Sequence, residues 1–221
     1  MSNQPRALAA RTLGALSVLL AVVLATGAGA SAASTTVRDA TGDVYTLLGN
    51  GPTKASGPDG DITSVTVRHS PRLISIRVHA SHLSLDQTML QAKVRTGPHG
   101  PVYFFTGTAD IGMRIALMSK GQEKLVMCPG IRMVFRPARG YVEAGIPRRC
   151  VGDPRWVRVG AALVTTDSLI QALGSDGGLD DLGEGETPSG TIDIAGVGTL
   201  SAAQMNATSM PLPLGPKVRV G

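Results

Sequence analysis

Four aspartates open the polar part of this chain: Asp39 and Asp43 in V-R-D-A-T-G-D-V, then Asp59 and Asp61 in G-P-D-G-D-I-T-S-V-T-V. They fall on two glycine-bearing turns that flank the stretch GNGPTKASG. Calcium is a hard cation that takes six to eight oxygens from flexible loops, so four carboxylates at this spacing form a candidate calcium site. The pattern is not an EF-hand, because D-x-[DN]-x-[DN]-G with a distal Glu is missing. A second reading stays open: Asp-Gly pairs are turn formers whose carboxylates accept bonds from backbone N–H groups.

A different chemistry resides in the aromatic and guanidinium groups. Trp156 and Arg158 alternate with Val157 and Val159, which places them on the polar side of a strand. Tyr141 and Glu143 take the outward positions of another strand by the same rule, and Arg77 those of a third. Such a set suits stacking on a sugar ring or a protein contact. The other outward cations are Arg68, Lys93, Arg95, Arg132 and Arg136, a basic face suited to an acidic envelope polymer or glycan. A solvated charged face is the plainer alternative. Catalytic signatures are missing: His69, His79, His82 and His99 make no H-E-x-x-H, and neither G-x-S-x-G nor G-x-x-x-x-G-K occurs.

Composition narrows the classes further. The 221 residues suit one domain of ordinary size, with 28 Gly, 14 Pro and a formal net charge of +5. Aromatic residues are 3% of the chain, too few for the stacking platforms that bind single-stranded nucleic acid. Two cysteines and four histidines exclude a zinc cluster built on paired Cys motifs. The charge is uneven. Residues 34–165 carry 17 basic and 9 acidic groups. Residues 166–193 carry Asp167, Asp176, Asp180, Asp181, Glu184, Glu186 and Asp193 and no base.

The first 33 residues read as a targeting segment. Arg6 and Arg11 precede an apolar stretch centred on LSVLLAVVLA, followed by two A-x-A sites at 28–32. Positive, apolar and small regions in that order make a secretory signal peptide. The apolar stretch is shorter than the roughly 20 residues of a membrane span, so the mature chain is expected outside the cell with no span. Export and the acidic tail also argue against nucleic acid as a partner.

The residues between 61 and 165 must position these groups, and they do so as strands. Apolar and polar residues alternate along 64–69, 74–80, 90–95, 131–135, 142–146 and 157–163, and apolar runs occupy 102–106, 115–118 and 125–128. Turn residues separate them, among them Ser70-Pro71, Gly97-Pro98, Pro129-Gly130 and Gly152-Asp153-Pro154. About nine closely spaced strands without a helical period predict an all-β antiparallel sandwich over residues 34–165. Outside the cytoplasm Cys128 and Cys150 are expected to be bridged, locking a three-strand meander. Residues 166–221 read as an acidic, Gly-rich and largely flexible tail, with TIDI at 191–194 as one further strand candidate.

The opening D-x-x-G-D, the following D-I-x-x-V-x-V, the strand RLISIRVHA and the later G-Y-V-E-A-G-I-P-R-R-C-V-G-D-P-R-W-V-R-V-G resemble small secreted actinobacterial β-sandwich proteins. More distantly, residues 37–165 are similar to DOMON and family 9 carbohydrate-binding-module sandwiches. That resemblance implies sugar or haem bound on one sheet face; sugar-binding relatives use stacked aromatics, and this chain has a single Trp. The expected function is a secreted, non-catalytic binding or envelope-interaction module. The alternatives are a hydrolase-like enzyme using the N-terminal aspartates and a purely structural secreted protein.

Overall fold

A computed structural model describes residues 32–46, 53–55, 60–83, 88–108, 115–119, 124–166, 190–195 and 212–221. The expected signal region up to residue 31 and the candidate ligand Asp59 lie outside the described residues.

Every strand pairing is antiparallel, as the closely spaced turns require. The first sheet has the order β1-β4-β5-β11-β10, built from β1 (Ala33–Arg38), β4 (Ile62–His69), β5 (Leu73–Ala80), β11 (Tyr141–Pro147) and β10 (Arg132–Arg136). The second contains β2 (Tyr45–Thr46), β3 (Thr53–Lys54), β6 (Thr88–Arg95), β7 (Val102–Thr108), β8 (Ile115–Ser119), β9 (Lys124–Leu125), β12 (Trp156–Thr166) and β13 (Gly190–Ile194). Their order is β3-β2-β13-β12-β6-β7-β8-β9, and β14 (Val218–Arg219) pairs with β12. All nine strands expected between 61 and 165 are present, as β4 to β12.

Period-two alternation makes the core. Ile74, Ile76 and Val78 on β5 and Val142, Ala144 and Ile146 on β11 are buried against Leu90, Phe105, Leu117, Val157 and Leu163 of the second sheet. Their partners at Ser75, Arg77, Tyr141 and Glu143 face outward and are half-buried. A second, smaller cluster lies on the other side of β12, where Ala162 and Val164 pack with Tyr45, Ile194 and Leu212. Both faces of the C-terminal half of β12 are therefore buried.

One expectation needs correction. Cys128 and Cys150 are bridged, with Cα atoms 5.7 Å apart, but they do not lock a meander. The chain leaves β9 in the second sheet and enters β10 in the first, so the bridge ties the segment after β9 to the 3-10 turn after β11. Two pieces of the stretch read as a tail lie among the described residues. Residues 190–194 form β13, the strand read in TIDI, and residues 212–221 complete the free edge of β12. Gly215 N–H donates to the Val159 carbonyl at 2.9 Å, Val220 N–H to the Arg155 carbonyl at 3.0 Å, and Val218 pairs with Val157. An unpaired strand edge is a template for aggregation, and covering it removes that hazard.

The cover is tight at Gly160, where an added Cβ would stand 2.3 Å from the Pro213 carbonyl oxygen. Gly160→Ala must push residues 212–215 off the strand, at an expected cost of roughly 1–2 kcal/mol. Denaturant unfolding of the variant beside the native chain reads that difference directly. An unchanged midpoint would mean that the segment contributes nothing to stability.

Candidate functional site

The aspartates come together at one end of the sandwich. Asp43 lies just before β2, Asp61 just before β4, and Asp193 on β13; one carboxylate oxygen from each is within 4.8 Å of the other two. All three are buried, at 5%, 6% and 1% exposure respectively. The glycines of the motif explain how the loops reach this arrangement. Gly42 and Gly60 have φ of 76° and 78°, a region that L side chains rarely enter. The Gly42 N–H thereby donates to both oxygens of Asp61 at 3.0 Å. Ser81 N–H donates to the Asp61 carbonyl at 2.9 Å and anchors the same turn to the end of β5.

Asp193 joins the two sheets. Its Oδ2 accepts a bond from the Ile62 N–H, whereas its Oδ1 is buried with no hydrogen-bond partner among the described residues. Desolvation pushes its pKa up to about 7; the Ile62 bond opposes this, and the negative charges of Asp39, Asp43 and Asp61 add to it. The sequence pointed to Asp39, Asp43, Asp59 and Asp61. The structure brings Asp43 and Asp61 into contact range, keeps Asp39 close enough to act on Asp193 by charge, and adds Asp193 itself. Asp39 Oδ1 accepts from the Ala40 N–H at 3.1 Å, the local turn bond expected of such a residue.

The four candidate ligand-binding residues divide between two surfaces. Arg77 and Tyr141 share the outer face of the first sheet, whereas Trp156 and Arg158 lie on β12 of the second. Register aligns three rows across the first sheet: Arg38-Ser64-His79-Tyr141-Arg136, Thr36-Thr66-Arg77-Glu143-Val134 and Ser34-Arg68-Ser75-Gly145-Arg132. Arg77 places its guanidinium carbon 4.5 Å from the Tyr141 ring centroid, and the His79 ring is 5.5 Å from it. The Arg77 Nε donates to Glu143 at 2.8 Å, and the Ser75 hydroxyl to the same carboxylate at 2.7 Å. Burial raises the Glu143 pKa, but these two bonds and the charges of Arg77 and Arg132 outweigh it and hold the carboxyl below its ordinary value.

Trp156 and Arg158 are engaged by the end of the chain. Lys217 Nζ is 4.5 Å from the Trp156 ring centroid, and Trp156 pairs with Arg219. Arg158 donates to the carbonyls of Leu214 and Gly215, both at 2.8 Å. Arg95 is likewise turned to its own loop, on the carbonyls of Gly97 and Pro98.

No protein-family model, curated protein or solved structure matches this chain. Function must therefore be argued from the site itself. No helix among the described residues is long and apolar enough to cross a membrane.

Proposed function

We propose that this chain is a secreted, non-catalytic module that binds an acidic cell-envelope polymer or glycan on the outer face of its five-stranded sheet. The observation that carries the reading is the registered face itself. It sets Arg38, Arg68, Arg77, Arg132 and Arg136 around Tyr141, with Glu143 as its one carboxylate. Arg38, Arg68, Arg132 and Arg136 are exposed there, whereas Arg95 and Arg158 on the other sheet are held by backbone carbonyls. A surface of one sign attracts a polyanion over roughly a Debye length, about 10 Å at 0.1 M salt. Tyr141, flanked by Arg77 and His79, offers a ring for a sugar between the charges. The signal-like residues 1–33 and the Cys128–Cys150 bridge both suit an oxidising compartment outside the cytoplasm. Of the carboxylates that a hydrolase would use, Asp43 and Asp61 are buried, a placement that suits a small ion better than a polymer chain.

Co-sedimentation with cell wall that retains its anionic polymer, and with wall stripped of it, tests the reading. The native chain is expected to bind only the former, and far less at 0.5 M salt. Arg68→Ser, Arg132→Ser and Arg136→Ser together should weaken binding at least about tenfold at low salt. Equal binding by the triple variant would reject this face. Absence of binding by the native chain would favour the purely structural role.

A further inference from the structure

We propose that Asp43, Asp61 and Asp193 form a binding site for one hard divalent cation, calcium, which clasps the two sheets together through β13. This inference is independent of the polymer-binding face.

Two observations carry it. The first is the donor set: three carboxylates and no thiol or imidazole, with an oxygen from each within 4.8 Å of the others. Such hard, purely oxygen donors suit calcium or magnesium and disfavour zinc and copper. Calcium bonds oxygen at about 2.3–2.6 Å, so a single ion placed among these carboxylates spans their separation with little movement. Magnesium needs about 2.0–2.1 Å and near-ideal octahedral geometry, a stricter demand than calcium makes of three carboxylates on separate segments.

The second observation is Asp193 Oδ1. This atom has no hydrogen-bond partner among the described residues, on a side chain that is 1% exposed. A buried carboxylate oxygen is normally satisfied by a donor, and one left over beside two other carboxylates calls for a cation. The other oxygen of Asp193 is fixed by the Ile62 N–H, and Asp61 is fixed by the Gly42 N–H, so both carboxylates are already aimed. Holding ligands in place before the ion arrives reduces the entropy lost on binding.

The location gives the ion a consequence. Asp61 immediately precedes β4 in the first sheet, and Asp43 leads into β2 in the second. Asp193 is on β13, which pairs with both β2 and β12. An ion held by all three joins the N-terminal turns to a strand contributed by the last 32 residues of the chain. Calcium would therefore order β13 as well as stabilise the fold.

The test uses the oxidised full chain, melted in chelator and in about 5 mM calcium, with calorimetric titration of calcium chloride. Extracellular sites of this kind bind at about 10⁻⁴–10⁻³ M, which predicts one site and a melting temperature higher by roughly 5 °C. Asp193→Asn and Asp43→Asn should each reduce calcium affinity at least about tenfold. Asp193→Asn should also raise the melting temperature in chelator by relieving repulsion. Asp153→Asn, in an exposed turn, should bind as the native chain does. Calcium should slow amide exchange at Ile62 and through residues 190–195 of the native chain, a readout that needs no variant. No shift with calcium, or a full shift retained by both Asp43→Asn and Asp193→Asn, would overturn the site. An equal shift with magnesium would overturn the choice of calcium, and unchanged exchange at β13 would overturn the clasp.

Discussion

The Cys128→Ser/Cys150→Ser chain should unfold about 3 kcal/mol more easily than the oxidised protein. The bridge spans 22 positions, and closing a loop of that length removes roughly this much chain entropy from the unfolded state. Its position gives it a native-state role as well. β9 is only two residues long and ends the second sheet, where Leu125 and Met127 are 49% and 84% exposed. So short a strand brings little buried surface, and Val126 N–H to the Leu117 carbonyl is its continuation along β8. Cys150 is buried in the turn that ends β11, beside Val151 in the core. The covalent tie therefore holds a weak edge to a strong strand across the crossing between the sheets. Denaturant unfolding with and without reductant should give the same loss for the native chain, with a fall in melting temperature of about 10 °C. A loss under about 1 kcal/mol would mean that the reduced chain keeps the crossing ordered without help.

The strands were legible in the sequence because each alternates over its own residues, and one buried face is enough to impose a period of two. Ile74, Ile76 and Val78 declare their strand without reference to any partner. The sheet to which each strand belongs was not legible, because the crossing from β9 to β10 leaves no mark on either strand. Local turn chemistry identified Asp43 and Asp61, whose glycines lie beside them. Asp193 escaped, since TIDI marks only a short strand and names no partner for its acid. In the structure Ile194 packs with Tyr45 and Leu212, and Asp193 lies with the other carboxylates. For Trp156, alternation names the polar side of its strand but not its partner: Arg219, 63 positions later, comes back to pair with it.

That returning segment also sets the acid sensitivity of the protein. His69 takes the inward position at the end of β4, in register with Ile74, and is fully buried. Its Nδ1 is 3.2 Å from the Val218 carbonyl, so the neutral ring donates there, and its Nε2 is buried with no hydrogen-bond partner among the described residues. Burial lowers the His69 pKa below the ordinary 6.5; the Val218 bond opposes this, and the positive charge of Arg148 adds to it. The unfolded chain therefore binds a proton at this residue before the folded chain does. The stability contributed by neutral His69 is fully present above pH 6.5. As pH falls below 6.5 it is lost, with a limiting slope of about 1.4 kcal/mol per unit, until the folded imidazole itself takes a proton. Asp193 works in the opposite direction. Its pKa is raised to about 7, so the cation-free protein gains stability from that proton as pH falls. The raw profile mixes the two, and the difference between the native chain and His69→Asn isolates the histidine. Asparagine can still donate to Val218 but does not titrate in this range. Unfolding free energies at pH 7, 6 and 5 should show the native chain losing ground to the variant as pH falls below 6.5. Parallel profiles would mean that His69 is protonated in the folded state with the Val218 bond intact. In that case the C-terminal strand would tolerate a buried charge that its carbonyl alone is too weak to hold.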